Sequence, residues 1–159
     1  MIYAVPLTPR CIVQAAQASH LPVAAIVGVL SNEGGKVGMV HINTDGSLDY
    51  GPMQVNSRWL PDMSKFGITP YMLTFNGCLN VWVGAWILRR YVDEAHGQLW
   101  LGIGYYHSHT VYQLQNYEVH VYQRLLTMGP AAAQQIINNA DSLFARGSEK
   151  RLTDAGRGS

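Results

Sequence analysis

Charge is scarce in this chain. Asp, Glu, Lys and Arg make up 13% of its 159 residues, the formal net charge is +1, and the cations form no run. A duplex-binding protein needs several phosphate-neutralising cations on one face, so the composition argues against a nucleic-acid partner. It leaves neutral polymers such as polysaccharides open, and nine tyrosines and four tryptophans suit sugar stacking as well as they suit a core. Long apolar runs are also missing. No stretch reaches the roughly 18 residues that a membrane span needs, and residues 21–30 are short and contain Pro22. The N-terminal Met1-Ile2-Tyr3-Ala4-Val5-Pro6 is apolar but has no basic segment before it, so it does not read as a signal peptide. Either export does not use that route, or the sequence is a mature or trimmed form.

Cysteine is limited to Cys11 and Cys78. Two cysteines alone do not make a structural zinc site. In an exported protein they can pair, and closing a loop of that length stabilises a fold by about 4 kcal/mol in the chain-entropy model. In a cytosolic protein they are buried free thiols. Internal repeats are absent as well, and at 48% hydrophobic residues the chain has enough apolar content for one domain with a real core. The reading is one domain over residues 1–145, followed by a polar, disordered tail over 146–159.

Thr8-Pro9 reads as an N-cap and first helical residue ahead of an alanine-rich helix. Residues 21–32 are ambiguous: Val23, Ile26, Val27 and Val29 favour a strand by propensity, while the length and lack of alternation fit a buried helix. Gly34-Gly35 would end such a helix. Residues 36–50 read as a long loop with a turn at Asp45-Gly46, residues 53–63 as a short helix, and residues 67–77 as irregular. The clearest helix has Leu79, Trp82, Val83, Trp86 and Ile87 on one stripe and Val81, Ala85, Leu88 and Val92 on a second. An aromatic segment, Trp100 through Tyr106, follows. Leu114, Tyr117, Val121 and Leu125 mark another helix face, and Ala133, Ile136, Ile137, Ala140, Leu143 and Phe144 a last amphipathic helix beyond Gly129-Pro130.

One carboxylate stands out. If residues 21–32 are helical, Glu33 lies at the C-terminal end, where the helix dipole and nearby apolar surface both raise a carboxyl pKa, as a general acid near neutral pH requires. The plainer reading is an exposed glutamate at a helix end. Asp45 and Asp49 follow on the loop, where a second carboxylate would orient a water or stabilise positive charge on a sugar. Asp45 reads better as turn chemistry; Asp49 is open between a site and a loop cap. His107-Ser108-His109 lacks the acidic or cysteine neighbours of a metal site and the elbow of a serine hydrolase, so no metal or cofactor is expected.

These residues also carry a resemblance. Glu33, then Asn43-x-Asp45-Gly46-Ser47-x-Asp49-Tyr50-Gly51-x-Met53-Gln54-Val55-Asn56-Ser57, Cys78-x-Asn80-Val81-x-Val83-Gly84-Ala85-x-Ile87-Leu88, Gly104-Tyr105-Tyr106-His107-Ser108, and Tyr117 with Val121-Tyr122 resemble the small lytic transglycosylases that accompany conjugation and type IV secretion machinery, within the group with a goose-lysozyme-like fold. The resemblance runs from about Cys11 to Leu126. It implies a mostly α, lysozyme-like single domain that acts on peptidoglycan glycan strands, periplasmic or secreted, with secretion or conjugation proteins as partners. It implies Glu33 as the catalytic acid and base, and Asp49, Met53, Gln54, Asn56, Tyr106 and His107 around the substrate. It also implies a disulfide between Cys11 and Cys78. Here Gly34 stands where the family usually has serine, and His107 where many members have asparagine. A muramidase using Asp45 or Asp49, and a non-catalytic wall-binding module, are the alternatives.

Overall fold

The computed structural model describes residues 3–129 and 131. The amphipathic segment read over 133–144 and the tail from 146 lie outside them. The fold is mostly helical: α1 (Pro9–Ala18), α2 (Val23–Glu33), α3 (Leu60–Ser64), α4 (Pro70–Phe75), α5 (Gly77–Glu94), α6 (Leu99–His107) and α7 (Val111–Met128), with three short strands, β1 (Val40–Ile42), β2 (Leu48–Tyr50) and β3 (Val55–Asn56). No helix among the described residues is long and apolar enough to cross a membrane. The chain groups into two compact units, which divide between Ile87 and Leu88.

In the first unit, the Thr8 hydroxyl caps α1 by accepting the Cys11 N–H, and Pro9 occupies the first turn, where its missing N–H does no harm. The stretch left open between strand and helix is α2. Burial decides it: Ala24, Ala25, Ile26, Gly28 and Val29 are all enclosed, and tertiary packing overrides the weak β preference of valine and isoleucine. The helix stops at Gly34, which takes a left-handed conformation (φ 65°) and donates its N–H to the Leu30 carbonyl.

The long loop expected over residues 36–50 instead contains two strands. β1, β2 and β3 form an antiparallel meander, with Val40 opposite Tyr50, His41 opposite Asp49, and Tyr50 opposite Val55. Three-residue strands are too short for alternation to show. The turn between β1 and β2 is at the expected place, around Asp45-Gly46. The segment 67–77, read as irregular, holds α4; Thr69 caps it by accepting the Met72 N–H, and Pro70 opens it. Residues 57–63, expected to be part of one helix, form a 3-10 turn (Ser57–Trp59) followed by α3.

The N-terminal segment is pinned at the junction of α4 and α5, where Val5 donates to the Phe75 carbonyl and accepts from the Gly77 N–H, each at 2.8 Å. A disulfide joins Cys11 of α1 to Cys78 at the start of α5, with a Cα–Cα distance of 5.3 Å. Of the two stripes on α5, the second is the deeper: Val81, Ala85, Leu88 and Val92 are buried, whereas Trp82 of the first is 40% exposed.

The described part of the second unit covers residues 88–129 and 131. Its core is the antiparallel pair α6 and α7, joined by a short turn; Leu99, Ile103, Leu114, Tyr117, Val121 and Leu125 are buried. Gly104 of α6 faces Leu114 and Glu118 of α7, and Trp100 meets Tyr122 edge-on at 6.0 Å.

Candidate active site

Glu33 is the last residue of α2 and is half-buried. Two residues later, Gly35 brings the exit of the helix against the loop that joins β2 to β3. A Cβ at Gly35 would overlap the Gly51 carbonyl oxygen and lie 2.8 Å from both the Pro52 carbonyl oxygen and Gln54 Nε2. Only a residue without a side chain permits that approach. The end of α2, which carries Glu33, and the motif around Gly51 are thus set beside one another by backbone contact.

The hairpin is clasped by its own polar side chains. The Asp49 carboxylate accepts from Asn43 Nδ2 at 2.9 Å on one oxygen and from Asn56 Nδ2 at 2.7 Å on the other. Ser47 Oγ is 3.1 Å from Asn43 Nδ2 and 3.0 Å from Asn56 Nδ2. Asn56 Oδ1 in turn accepts from the backbone N–H and Nε of Arg58. Asp49 is therefore a structural acceptor that ties β1 to β3 across β2, and Asn56 is engaged at both ends of its amide. Asp45 is exposed and accepts the Ser47 N–H at 2.9 Å and the Ser47 hydroxyl at 2.6 Å, which holds its carboxyl below the usual carboxylate range. It is turn chemistry.

Behind the hairpin sits Asn80 of α5, fully buried, a residue whose importance was visible only as part of a longer pattern. Its Nδ2 donates to the carbonyls of Tyr50 (2.7 Å) and Leu73 (2.9 Å), and its Oδ1 accepts the Met53 N–H at 2.8 Å. Gly51 takes a left-handed conformation (φ 67°), and a Cβ there would meet the Asn80 amide and the Leu73 carbonyl. Met53, expected around the substrate, is instead fully buried with its side chain against Gly84, so its part is to pack the loop onto α5. Gln54 remains at the surface of the motif. It is a non-glycine residue in the left-handed region (φ 50°), and its Nε2 donates to the Gly51 carbonyl at 2.8 Å. The half-buried Trp59 and Trp86 pack edge-on at 5.8 Å in the same unit.

Tyr106 and His107 belong to the second unit, at the C-terminal end of α6. Tyr106 meets Tyr91 edge-on at 6.4 Å. His107 stacks flat on Tyr117, with ring centroids 5.0 Å apart and planes 2° from parallel. His109 stacks on Tyr105 at 4.3 Å and lies 2.8 Å from a Glu94 carboxylate oxygen. Burial pushes the Glu118 carboxyl above the usual carboxylate range. No group of three or more His, Cys, Asp or Glu able to hold a metal ion occurs among the described residues.

No known family profile matches the chain. It is similar to the invasion protein IagB of Salmonella typhimurium, 37% identical over 75 residues that make up 47% of this chain and 46% of that protein. It is 26% identical to protein IpgF of Shigella flexneri over 129 residues, 78% of this chain and 84% of that one. The X polypeptide of Escherichia coli K12 is 30% identical over 73 residues, 46% of this chain and 43% of that protein. The chain thus spans a little under half the length of IagB and of the X polypeptide, and most of IpgF.

Proposed function

We propose that this protein is a lysozyme-like lytic transglycosylase that cleaves the β-1,4 bond between N-acetylmuramic acid and N-acetylglucosamine in peptidoglycan, with Glu33 as acid and base. The observation that carries the reading is the contact of Gly35 with the Gly51–Gln54 loop, which sets the end of α2 that bears Glu33 beside the hairpin. Protonated Glu33 donates to the glycosidic oxygen, and the N-acetylglucosamine leaves with a new 4-hydroxyl. The resulting Glu33 carboxylate takes the proton from the muramoyl 6-hydroxyl as that oxygen closes on its own anomeric carbon. The product is a 1,6-anhydro sugar; no water is consumed, and Glu33 ends protonated as it began.

This route needs no second carboxylate. A muramidase uses one to direct water or to stabilise positive charge on the sugar; here that part would fall to Asp49, whose oxygens accept amide hydrogens from Asn43 and Asn56, or to Asp45, bonded to Ser47, and the end left on the product separates the two reactions. Tyr106 and Gln54 are proposed to contact the substrate, with His107 beside Tyr106, while Asp49, Met53 and Asn56 hold the hairpin in shape. The similarity to proteins named for invasion supports a role in opening the wall locally, in the periplasm or outside the cell, for an apparatus that crosses it.

The test is mass spectrometry of muropeptides released from purified peptidoglycan by the wild type and by Glu33→Gln. Anhydro ends from the wild type and none from the variant are the expected result. Reducing ends would move the assignment to a hydrolase. No release by either protein, with binding retained, would replace the enzyme by a wall-binding module.

A further inference from the structure

We propose that the free edge of β1 is a docking site for an extended segment of a partner protein, which adds to the hairpin as a fourth strand. In the strand order β1-β2-β3, β1 is an edge. Its hydrogen-bond phase follows from the two bonds that flank it: Gly51 donates to the Met39 carbonyl at 2.9 Å, and Asn43 donates to the Ser47 carbonyl at 2.8 Å. Residues 39, 41 and 43 therefore face β2, and the N–H and C=O groups of Val40 and Ile42 point the other way. None of these four groups has a hydrogen-bond partner among the described residues. Val40 and Ile42 lie on one face of the strand, 44% and 72% exposed, and neighbouring Met39 is 38% exposed.

Proteins ordinarily blunt such an edge with lysine, proline, a bulge or an inward charge, because it templates strand addition. β1 is short, itself one such device, but Met39-Val40-His41-Ile42 contains no lysine, proline or inward charge. The strand is also rigid before anything binds, since the clasp from Asn43 and Asn56 to Asp49 and the Asn80 anchor fix the sheet behind it. A preorganised edge adds a strand with little ordering of its own. An edge strand of three residues covers far less than the roughly 800 Å² per partner that a stable complex of two folded proteins buries. That excludes a dimer of this chain closed on β1 alone and fits a linear segment. The chemistry called for is an uncharged, extended stretch with apolar side chains at every second position, over Val40 and Ile42, and free backbone amides to meet them. This surface is separate from Glu33 and the proposal does not depend on the reaction assigned there.

The test uses the full-length chain labelled with nitrogen-15 and a synthetic peptide of alternating valine and threonine with a terminal lysine for solubility. Amide hydrogen exchange at Val40 and Ile42 is expected to slow about tenfold at a peptide concentration ten times its Kd. The His41 amide, which faces β2, is expected to stay unchanged. The same peptide N-methylated on its pairing amides is expected to give no protection. Ile42→Pro removes an N–H that no other group uses, at an edge position where proline is tolerated, and is expected to abolish peptide binding while leaving glycan cleavage intact. No slowing at millimolar peptide, or equal binding of the methylated peptide, overturns the proposal. Protection by disaccharide muropeptides in place of the peptide would assign the edge to glycan, and protection that rises with protein concentration alone would assign it to a second copy; either overturns it.

Discussion

Removal of the Asn80 amide is the sharpest probe of how the hairpin is held. Asn80→Ala leaves the Met53 N–H and the Tyr50 and Leu73 carbonyls without their partner in a buried position. Each stranded buried group costs about 1–3 kcal/mol, less where water enters the space left by the amide, so the sum is about 3–5 kcal/mol. For a chain of this size that is a fall in Tm of about 8–16 °C, measured by circular dichroism. Asn80→Asp is the more telling variant. It keeps an acceptor for the Met53 N–H but turns the donor that served two carbonyls into a carboxylate oxygen aimed at them. It is expected to be no more stable than Asn80→Ala at pH 7 and to recover as the pH falls, because protonation restores one donor and its folded-state pKa is raised. Exchange of the Met53 amide should accelerate in both variants, or in Asn80→Ala alone if the aspartate still accepts it. A loss under about 1 kcal/mol for Asn80→Ala, or wild-type stability of Asn80→Asp at pH 7, would refute the assignment of Asn80 as the anchor.

Gly35→Ala is expected to lower glycan cleavage more than tenfold and Tm by several degrees, since its Cβ overlaps the Gly51 carbonyl and the exit of α2 must move; product release and calorimetry check it. Reduction of the Cys11–Cys78 disulfide opens a loop of 67 residues' separation and is expected to remove about 4 kcal/mol, read as a shift in the urea midpoint with and without reductant. Glu118 has a raised folded-state pKa, so the unfolded chain gives up its proton first and the stability Glu118 contributes is lost as pH climbs from the unfolded value through the folded one. Glu118→Gln is therefore expected to match the wild type in acid and to exceed it in Tm at pH 7; equal Tm at both pH values would remove Glu118 from the account. Asp49→Asn weakens the clasp from Asn43 and Asn56 and is expected to slow cleavage without changing the anhydro character of the product, whereas a switch in product would mean Asp49 takes part in the chemistry.

What was legible in the sequence is what short-range physics determines. Thr8-Pro9 opens α1, the periodic stripes run along α5 and α7, Gly34 closes α2, and Asp45-Gly46 makes a turn; each depends on a few neighbouring residues. The missed features depend on residues far apart. Residues 40–42 and 48–50 are strands because they pair with each other, and three residues are too few to show a period of two. Residues 21–32 were ambiguous because valine and isoleucine favour strands locally, and the burial that makes α2 a helix comes from elsewhere in the chain. The resemblance implies Met53 around the substrate, yet its side chain lies opposite the notch at Gly84, 31 positions on by the numbering. A glycine on the buried face of a long helix is the signal that would have exposed that pairing.

The same distinction explains what the polar residues of the motif from Asp49 to Asn56 do. Asp49 and Asn56 spend their hydrogen-bonding capacity on one another, on Asn43 and on Arg58, and the glycines admit backbone contact. A loop fixed by apolar packing alone would tolerate small slips, because the hydrophobic effect is not directional. Directional bonds to Asp49 of β2 from Asn43 on one side and Asn56 on the other, together with the Asn80 amide behind the hairpin, hold one register. An acid that must deliver and recover a proton within a few ångströms benefits from that rigidity more than from another ligand-binding side chain. Under the proposed function the motif is the mould for Glu33, and substitutions within it are expected to change the rate of the proposed reaction before they change its outcome.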